Sequence, residues 1–150
     1  MKLAVGADHA GFALKQFLTG QLAAAGIELL DLGTHEETSS DYPDFAAAVA
    51  QAVQRGEAER GLVLCGSGVG AAMTANKFKG IRAGLCHDAF SARQGVEHDD
   101  MNVLCLGGRI IGTALGWDLV QAFLGAVYDG KDSHQRRLDK LAAIEASNFQ

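Results

Sequence analysis

The strongest constraint on the fold is a strand, glycine loop and helix unit in the middle of the chain. Leu62–Cys65 is apolar without alternation, which is typical of a short strand buried on both faces. Glycines follow at Gly66, Gly68 and Gly70, and Ala71–Lys77 then has the composition of a helix. Glycine lets the backbone turn tightly and present N–H groups to an anion, and the positive end of a helix lies at the same place. The unit therefore predicts an anion-binding loop at the end of a buried strand.

The same alternation of strand and helix runs through the whole chain. Short connections between alternating elements are typical of a parallel sheet with helices on both faces and right-handed crossovers. We therefore predict an α/β three-layer sandwich forming one domain over residues 1–150. A last helix, from about residue 135 to 146, has an apolar side that favours a partner subunit as its cover. The five predicted strands are Lys2–Ala7, Ile27–Leu32, Leu62–Cys65, Ile81–Cys86 and Val103–Leu106.

Composition excludes several classes of partner. The chain is 48% hydrophobic with a formal charge of −5, which argues against nucleic acid or an anionic membrane as partner while leaving room for a local basic pocket. No stretch approaches the roughly 20 apolar residues of a membrane span, and the first strand begins without a signal peptide. Three cysteines, with no close pair, indicate neither disulfides nor a zinc site. We expect a soluble cytoplasmic protein.

Polar residues follow several strands at the edge where parallel sheets bind ligands. Asp8, His9 and Cys65 leave the carboxyl ends of strands, as does the pair His87–Asp88. Cys65 directly precedes the glycine loop, where a thiol ionises more easily than a free one. A base beside donors for an oxyanion suits the removal of a proton next to a carbonyl. For Asp8 and His9 two interpretations stay open: a helix cap with a solvated histidine, or ligands of hydroxyls and of an anion.

Basic residues and one histidine extend the candidate site. Arg136 and Arg137 begin the last helix, where cations are disfavoured, so they indicate a bound anion such as phosphate unless they form a solvated face. Arg109 follows two glycines and is a candidate for the same anion. His98 ends a helix, where it is either an exposed residue or a proton shuttle near neutral pH.

Two other kinds of site are disfavoured. Gly66, Gly68 and Ala71 satisfy the dinucleotide pattern G-x-G-x-x-A, and Asp88 lies 22 residues after Gly66, where a ribose-binding acid is expected. This pattern normally follows the first strand of a larger unit, whereas here it follows the third. No cluster of His, Asp and Glu with metal-ligand spacing is visible, so we expect no metal.

Six short motifs are spread over nearly the whole chain: Val5–Gly11, Asp41–Asp44, Cys65–Gly70, Ala75–Lys77, Gly80–Ala83 and Asn102–Leu104. Together, and in this order, they resemble the ribose-5-phosphate isomerase B family. That group includes galactose-6-phosphate isomerase subunits and allose-6-phosphate isomerase. The resemblance implies a Rossmann-like domain without metal or nucleotide cofactor, working as a homodimer or dimer of dimers with active sites shared between subunits.

The resemblance also implies residue roles. Cys65 matches the base that moves a proton between C1 and C2, and His98 matches the residue that opens the sugar ring in the neighbouring subunit's site. Asp8 matches a ligand of sugar hydroxyls, and Tyr42 lines the pocket. The remaining implied residues are the enediolate-binding group Gly66, Ser67, Gly68, Val69 and Gly70 and the phosphate ligands His9 and Arg137.

Two positions depart from the family pattern. Asp99 stands where many members have Asn, and an ionised carboxylate cannot donate a hydrogen bond to an oxyanion. Ser133 stands where several members have Arg, and Arg136 is a candidate to compensate. The expected function is the metal-free isomerisation of ribose 5-phosphate to ribulose 5-phosphate through a cis-enediol. The alternatives are another aldose phosphate, a tetrose or a hexose, and a non-catalytic sugar-phosphate binding protein.

Overall fold

The computed structural model describes residues 1–149 as a parallel five-stranded sheet between two layers of helices. The predicted α/β sandwich is therefore confirmed. Strands and helices alternate up to the helix that follows the fifth strand, and a second consecutive helix then ends the described part of the chain. The elements are β1 (Lys2–Ala7), α1 (Phe12–Ala24), β2 (Glu28–Asp31), α2 (Tyr42–Gln54), β3 (Arg60–Cys65), α3 (Val69–Ala75), β4 (Ala83–Leu85), α4 (Ala89–Asp99), β5 (Val103–Gly107), α5 (Thr113–Gly125) and α6 (Asp132–Asn148).

The strand order β2-β1-β3-β5-β4 creates a reversal between β1 and β3. From β1 the chain crosses to β2 on one side, whereas from β3 it crosses towards β4 on the other. The three central strands are almost entirely buried, as their apolar composition requires. In open α/β sheets the crevice at such a reversal, beyond the carboxyl ends of the strands, is where ligands bind.

Alternating residues of the central strands face two separate cores. Leu3 and Val5 of β1 pack with Leu18 of α1 and Phe123 of α5, and α4 adds its apolar residues to this layer. On the other face, the second core joins β1, β3 and β5 to the alanine-rich helix α2 and to α3. Burial of these apolar faces is the main force that holds the helices on the sheet.

The structure corrects several predicted boundaries. β4 is only three residues long, because the Asn102 side chain accepts a hydrogen bond from the Arg82 N–H (2.8 Å) where the predicted strand would continue. Helix α5 ends at Gly125, and Val127, two residues beyond it, is 75% exposed. The chain turns there because the carbonyl of Ala126 accepts a hydrogen bond from Arg60 (2.8 Å).

The last helix, α6, packs beside α4 at the β4 edge of the sheet. It is longer than predicted, and none of its residues is buried. Leu141 and Ile144 of this helix are exposed. Among residues 1–149, no helix combines the length and the apolar character needed to cross a bilayer.

Candidate active site

The carboxyl ends of β1 and β3 bring two of the predicted site segments together. These strands are neighbours, with Ala7 opposite Leu64, and the Asp8 N–H donates to the Leu64 carbonyl (3.2 Å). Because the strand order reverses between β1 and β3, the segments that follow these two strands leave the sheet in opposite directions, and a crevice opens between them. Asp8 and Cys65 therefore enter the same crevice from adjacent strands.

The glycine loop wraps around the Cys65 sulfur. The Gly68 N–H donates to Sγ (3.1 Å), and Gly68 has φ +81°, the left-handed conformation that favours glycine. A Cβ atom there would lie 2.9 Å from the Leu106 carbonyl carbon, so the close approach to β5 also requires glycine. Helix α3 begins directly afterwards at Val69, inside the predicted loop. The Gly68 N–H thus holds the sulfur at the base of a tight turn.

The three thiols have different surroundings. All three are free and buried. Burial raises the pKa of Cys86 and, more strongly, that of Cys105 in the middle of β5, so neither is suited to act as a base near neutral pH. Cys65 alone of the three accepts a backbone hydrogen bond from the glycine loop. Cys65 is therefore the thiol that remains as the candidate base.

Asp8 and His9 are fixed by backbone contacts. Asp8 is buried, and its Oδ1 accepts from the N–H groups of Ala10 (3.0 Å) and Gly11 (3.1 Å), which shapes the turn before α1. His9 is not merely solvated: its N–H donates to the Ser40 hydroxyl (3.1 Å), and its Nδ1 lies 3.1 Å from the Ser40 nitrogen. Ser40 was missed by the sequence analysis, because the two residues are 31 positions apart and only the fold joins them.

Tyr42 and Arg109 border the glycine loop from opposite sides. A Cβ atom at Gly70 would lie 2.5 Å from the Tyr42 ring, so the ring packs directly on the loop. The Arg109 guanidinium lies beside Gly66, with Nη1 3.5 Å from the position of a Cβ there, and the Arg109 N–H donates to the Gly66 carbonyl (3.0 Å). Both side chains are exposed towards the crevice edge, and Ser67 is exposed on the loop itself.

His87 also reaches this edge of the sheet, with a structural contact. Its Nε2 accepts from the Gly107 N–H (3.0 Å) at the end of β5. The neighbouring Asp88 caps α4 by accepting from the Ser91 N–H (2.7 Å), and hydrogen bonds at that position lower its pKa. His87 therefore stabilises the end of β5, and Asp88 caps the start of α4.

His98 and Asp99 lie at the opposite end of the strands, the amino edge of the sheet, where the parallel strands begin. Helix α4 starts at the carboxyl end of β4 and runs back, so its last residues precede the start of β5. Arg60, the first residue of β3, marks this amino edge. A strand rises about 3.3 Å per residue, so the five steps from Arg60 to Cys65 span roughly 16 Å. Within one chain, His98 therefore does not share the crevice with Cys65.

His98 stands beside a second histidine and an aspartate. Its ring stacks on that of His134 in α6, with centroids 4.0 Å apart, and Asp129 lies next to both. Ligand atoms of these three residues lie within 4.8 Å of one another, which is close enough for a candidate metal site. No ligand spacing in the sequence indicates this cluster, because its members come from α4, α6 and the segment between α5 and α6.

Asp99 and the two arginines of α6 are exposed near this cluster. Asp99 is the final residue of α4, and Arg136 and Arg137 lie in the first half of α6. Ser133 is in the first turn of the same helix. The candidate residues thus form two groups: a crevice group around Cys65 and an amino-edge group around His98.

Comparison with known proteins assigns the family. Residues 3–141 match the family model described as Ribose/Galactose Isomerase. The chain belongs to this family. Ribose-5-phosphate isomerase B of Escherichia coli is 44% identical, with 96% of each chain covered. D-erythrulose-4-phosphate isomerase 2 of Mycolicibacterium smegmatis is 38% identical over 98% of this chain and 99% of its own.

A solved structure agrees with the family assignment. Ribose-5-phosphate isomerase B of Clostridium thermocellum superposes with a TM-score of 0.96 at 44% identity, covering 98% of this chain and 99% of that one. The resemblance seen in the sequence motifs is therefore confirmed. The chain is an aldose–ketose isomerase of a sugar phosphate.

The fold of this isomerase does not suit the dinucleotide interpretation. A ribose-binding acid must end the strand beside the glycine loop. Asp88 instead follows β4, which β5 separates from β3, and its carboxylate is used as a helix cap. The glycine loop is better explained by the thiol that it surrounds.

Proposed function

We propose that the protein interconverts ribose 5-phosphate and ribulose 5-phosphate through a cis-enediol, with Cys65 as the base. The observation that carries this proposal is the Gly68 N–H aimed at Sγ (3.1 Å) in the crevice between β1 and β3. The thiolate removes the proton from C2 of the open aldose, and the electron pair passes to O1. The O2 proton then moves to O1, so that the negative charge lies on O2. C2 becomes the ketone carbonyl when the Cys65 thiol returns a proton to C1. General acid–base catalysis of this kind contributes about 10²–10⁴-fold to a rate.

The loop supplies the donors that the enediolate requires. N–H groups in the first turn of a helix have no partner within that helix, and the loop Gly66–Gly70 leads directly into the first turn of α3. Donors preorganised at a developing oxyanion are typically worth ~3–4 kcal/mol each. Ser67, exposed on the same loop, adds a hydroxyl, and Val69 contributes through its backbone. This division leaves Cys65 to move the proton while the loop stabilises the charge.

Side chains at the mouth of the crevice suit the rest of the substrate. Asp8 is positioned to accept from sugar hydroxyls, and Tyr42 forms a wall above Gly70. His9, held by Ser40, and Arg109, held beside Gly66, are candidates for the phosphate, because a planar guanidinium matches phosphate oxygens in pairs. A five-carbon sugar phosphate would extend from the thiol to these cations.

Two copies of the chain are needed for the full reaction that we propose. Ribose 5-phosphate is mostly a closed ring, so a proton donor must open it before Cys65 can act. His98 is the candidate, but in its own chain it lies at the far edge of the sheet. We therefore propose a homodimer or dimer of dimers in which His98, Arg136 and Arg137 of one chain complete the crevice of the other. The exposed apolar residues of α6 are the matching candidate for the subunit contact.

The test is NMR of ribose 5-phosphate in deuterated buffer with protein treated with a chelator. Formation of ribulose 5-phosphate, with deuterium entering C2 of the aldose pool, supports the enediol route. Ketose without solvent exchange would argue for a direct hydride shift. Activity that disappears with the chelator and returns with a metal ion would overturn the metal-free mechanism.

A tetrose phosphate is the second candidate substrate. The observation that favours it is the similarity to a D-erythrulose-4-phosphate isomerase at 38% identity. A tetrose 4-phosphate cannot close a furanose ring, because its O4 carries the phosphate. The same NMR experiment with erythrose 4-phosphate decides between them, since the preferred substrate has the higher kcat/KM.

A further inference from the structure

Outside the crevice, three side chains from separate segments meet at the amino edge of the sheet. His98 ends α4, His134 lies in the first turn of α6, and Asp129 lies in the connection before that helix. The Asp129 N–H also donates to the Glu97 carbonyl (3.0 Å), which ties this connection to the end of α4. The cluster is therefore built by tertiary contacts.

Asp129 fixes the orientation of His134. The Nδ1 atom of His134 lies 2.8 Å from Oδ1 and 3.0 Å from Oδ2 of Asp129. The Lys131 N–H also donates to Oδ1 of Asp129 (3.0 Å), so the carboxylate is the acceptor in these contacts and His134 donates through Nδ1–H. The His134 side chain is only 12% exposed, so the ring has little freedom to turn.

His134 in turn supports His98. The two rings stack with centroids 4.0 Å apart and planes inclined by 24°. On the other side, the Gln94 amide nitrogen lies 2.9 Å from Nδ1 of His98. An amide nitrogen donates, so Nδ1 is the acceptor and the hydrogen of the neutral ring is on Nε2. A ring held in this way keeps one orientation, in which Nε2 lies 4.0 Å from Oδ2 of Asp129.

We propose that Asp129 and His134 are positioning residues that hold the His98 ring for opening of the cyclic sugar. This rests on the proposed function, and it assigns a task to two residues that our sequence analysis left out of the site. Small losses of alignment in a proton donor cost about 10–100-fold in rate. The variants are expected to slow the step that uses His98 and to leave the step that uses Cys65 unchanged.

Substrate chemistry separates these two steps. Ribose 5-phosphate closes a furanose ring through its O4, so it needs ring opening. Ribulose 5-phosphate has its carbonyl at C2 and a phosphate on O5, so it cannot form a five-membered ring. Exchange of the C1 proton of ribulose 5-phosphate with deuterated solvent therefore reports proton abstraction without ring opening. The two assays use the same protein and the same crevice.

The experiment compares Asp129→Asn, His134→Ala and His134→Phe with the unmodified chain. We expect Asp129→Asn and His134→Ala to lower kcat on ribose 5-phosphate about tenfold or more and to leave deuterium exchange into ribulose 5-phosphate within twofold. His134→Phe keeps an aromatic ring against His98 and should lose less than His134→Ala. Lys131→Gln is the matched control, because Lys131 approaches Asp129 (3.9 Å) from solvent and should leave both rates unchanged.

Three results would overturn the proposal. Equal loss in both assays means that the cluster only maintains the fold or the subunit contact. No loss in either assay means that His98 needs no support. Unmodified protein that exchanges ribulose 5-phosphate but does not consume ribose 5-phosphate removes the ring-opening role itself, while inactivity in both assays refutes the proposed function.

Discussion

At the scale of single residues, Cys65 differs from the other two cysteines in the backbone hydrogen bond that its sulfur accepts. It ends β3 at the reversal of the sheet and accepts the Gly68 N–H, whereas Cys86 and Cys105 are buried in surroundings that raise their pKa values. Three similar thiols in one small protein therefore provide an internal comparison. The difference between them is a matter of neighbours and not of residue type.

Replacing Cys65 by Ala is expected to lower kcat on ribose 5-phosphate about 10³-fold, because no other group replaces the base. Binding of a substrate analogue, measured by calorimetry, should stay within about tenfold. The control is Cys86→Ala, which removes a buried thiol outside the crevice and should retain kcat within about threefold. A Cys65→Ala protein with nearly full turnover would show that another residue moves the proton.

Asp99 is the residue at which this chain departs most clearly from the family pattern. We expect Asp99→Asn to raise kcat/KM on ribose 5-phosphate by roughly tenfold, because the amide can donate to an oxyanion and removes a repelling charge. Steady-state assays with ribose 5-phosphate and erythrose 4-phosphate measure the effect. A decrease with ribose 5-phosphate would indicate that the carboxylate is adapted to another substrate.

At the scale of elements, a buried lysine connects α1 to the loop that carries Ser40. Lys15 has a side chain only 3% exposed, and its Nζ lies 2.6 Å from Asp31 Oδ1 at the end of β2. The same ammonium donates to the Thr34 carbonyl (2.7 Å). The loop then continues to Ser40, which holds His9. Lys15 thus links the packing of a helix to the geometry of the crevice.

Lys15→Met is expected to lower the free energy of unfolding by about 1–3 kcal/mol, because it leaves the Thr34 carbonyl buried without a donor. It should also raise KM more than it lowers kcat, since the loop under His9 loosens. Urea denaturation and steady-state kinetics measure the two effects. Lys15→Arg, which keeps a donor and a charge, should lose less, and equal losses in the two variants would contradict this account.

The same ion pair predicts a pH dependence. Burial alone raises the pKa of Asp31, but hydrogen bonds from Lys15 and the Gly33 N–H outweigh it, so the pKa lies below its usual range. A lowered folded-state pKa gives stability that is complete above the unfolded pKa, near 3.9, and is lost as the pH falls through the folded value. The stability difference between the unmodified chain and Lys15→Met should therefore narrow below about pH 4. A constant difference would mean that Asp31 is not involved.

At the scale of the whole molecule, the two groups of candidate residues lie at opposite edges of one sheet. The crevice group lies beyond the carboxyl ends of β1 and β3, and His98 lies near the start of β5. Side chains cannot cover a separation of about 16 Å along a strand. Either the two groups act independently, or a second copy brings its amino edge to the crevice of the first. The proposed dimer makes the second arrangement testable.

Mixed dimers of two inactive variants should regain activity. In a dimer of one Cys65→Ala chain and one His98→Gln chain, one crevice lacks both groups, and the other has the intact cysteine of one chain and the intact histidine of the other. A purified mixed dimer has one intact crevice of two, so we expect about half of normal activity. A random mixture, in which half of the dimers are mixed, should show about a quarter. Co-expression with two tags and purification of the mixed dimer measures it. No recovery would place both residues in one chain's site.

The fold class could be predicted from sequence because its signals are local. Each of these signals depends only on neighbouring residues. Examples are the apolar run before Gly66, the helical spacing after Phe12 and the glycine that ends each of them. The bounds of β1 agree with the prediction, whereas β4 is shorter because a side chain 20 positions away interrupts it. The Cys65 loop was likewise predictable, since strand, thiol, glycines and helix follow one another directly.

Only the tertiary structure decided which distant residues meet. The insertion of β5 between β3 and β4 separates Asp88 from the glycine loop, and no local pattern encodes that order. The contact of His9 with Ser40, and the cluster of His98, His134 and Asp129, join segments through packing of whole elements. Sequence thus determined the elements and the thiol at the end of β3, because periodicity and turn chemistry act locally. Tertiary structure decided the partners of each functional side chain, because those contacts exist only once helices and strands have packed.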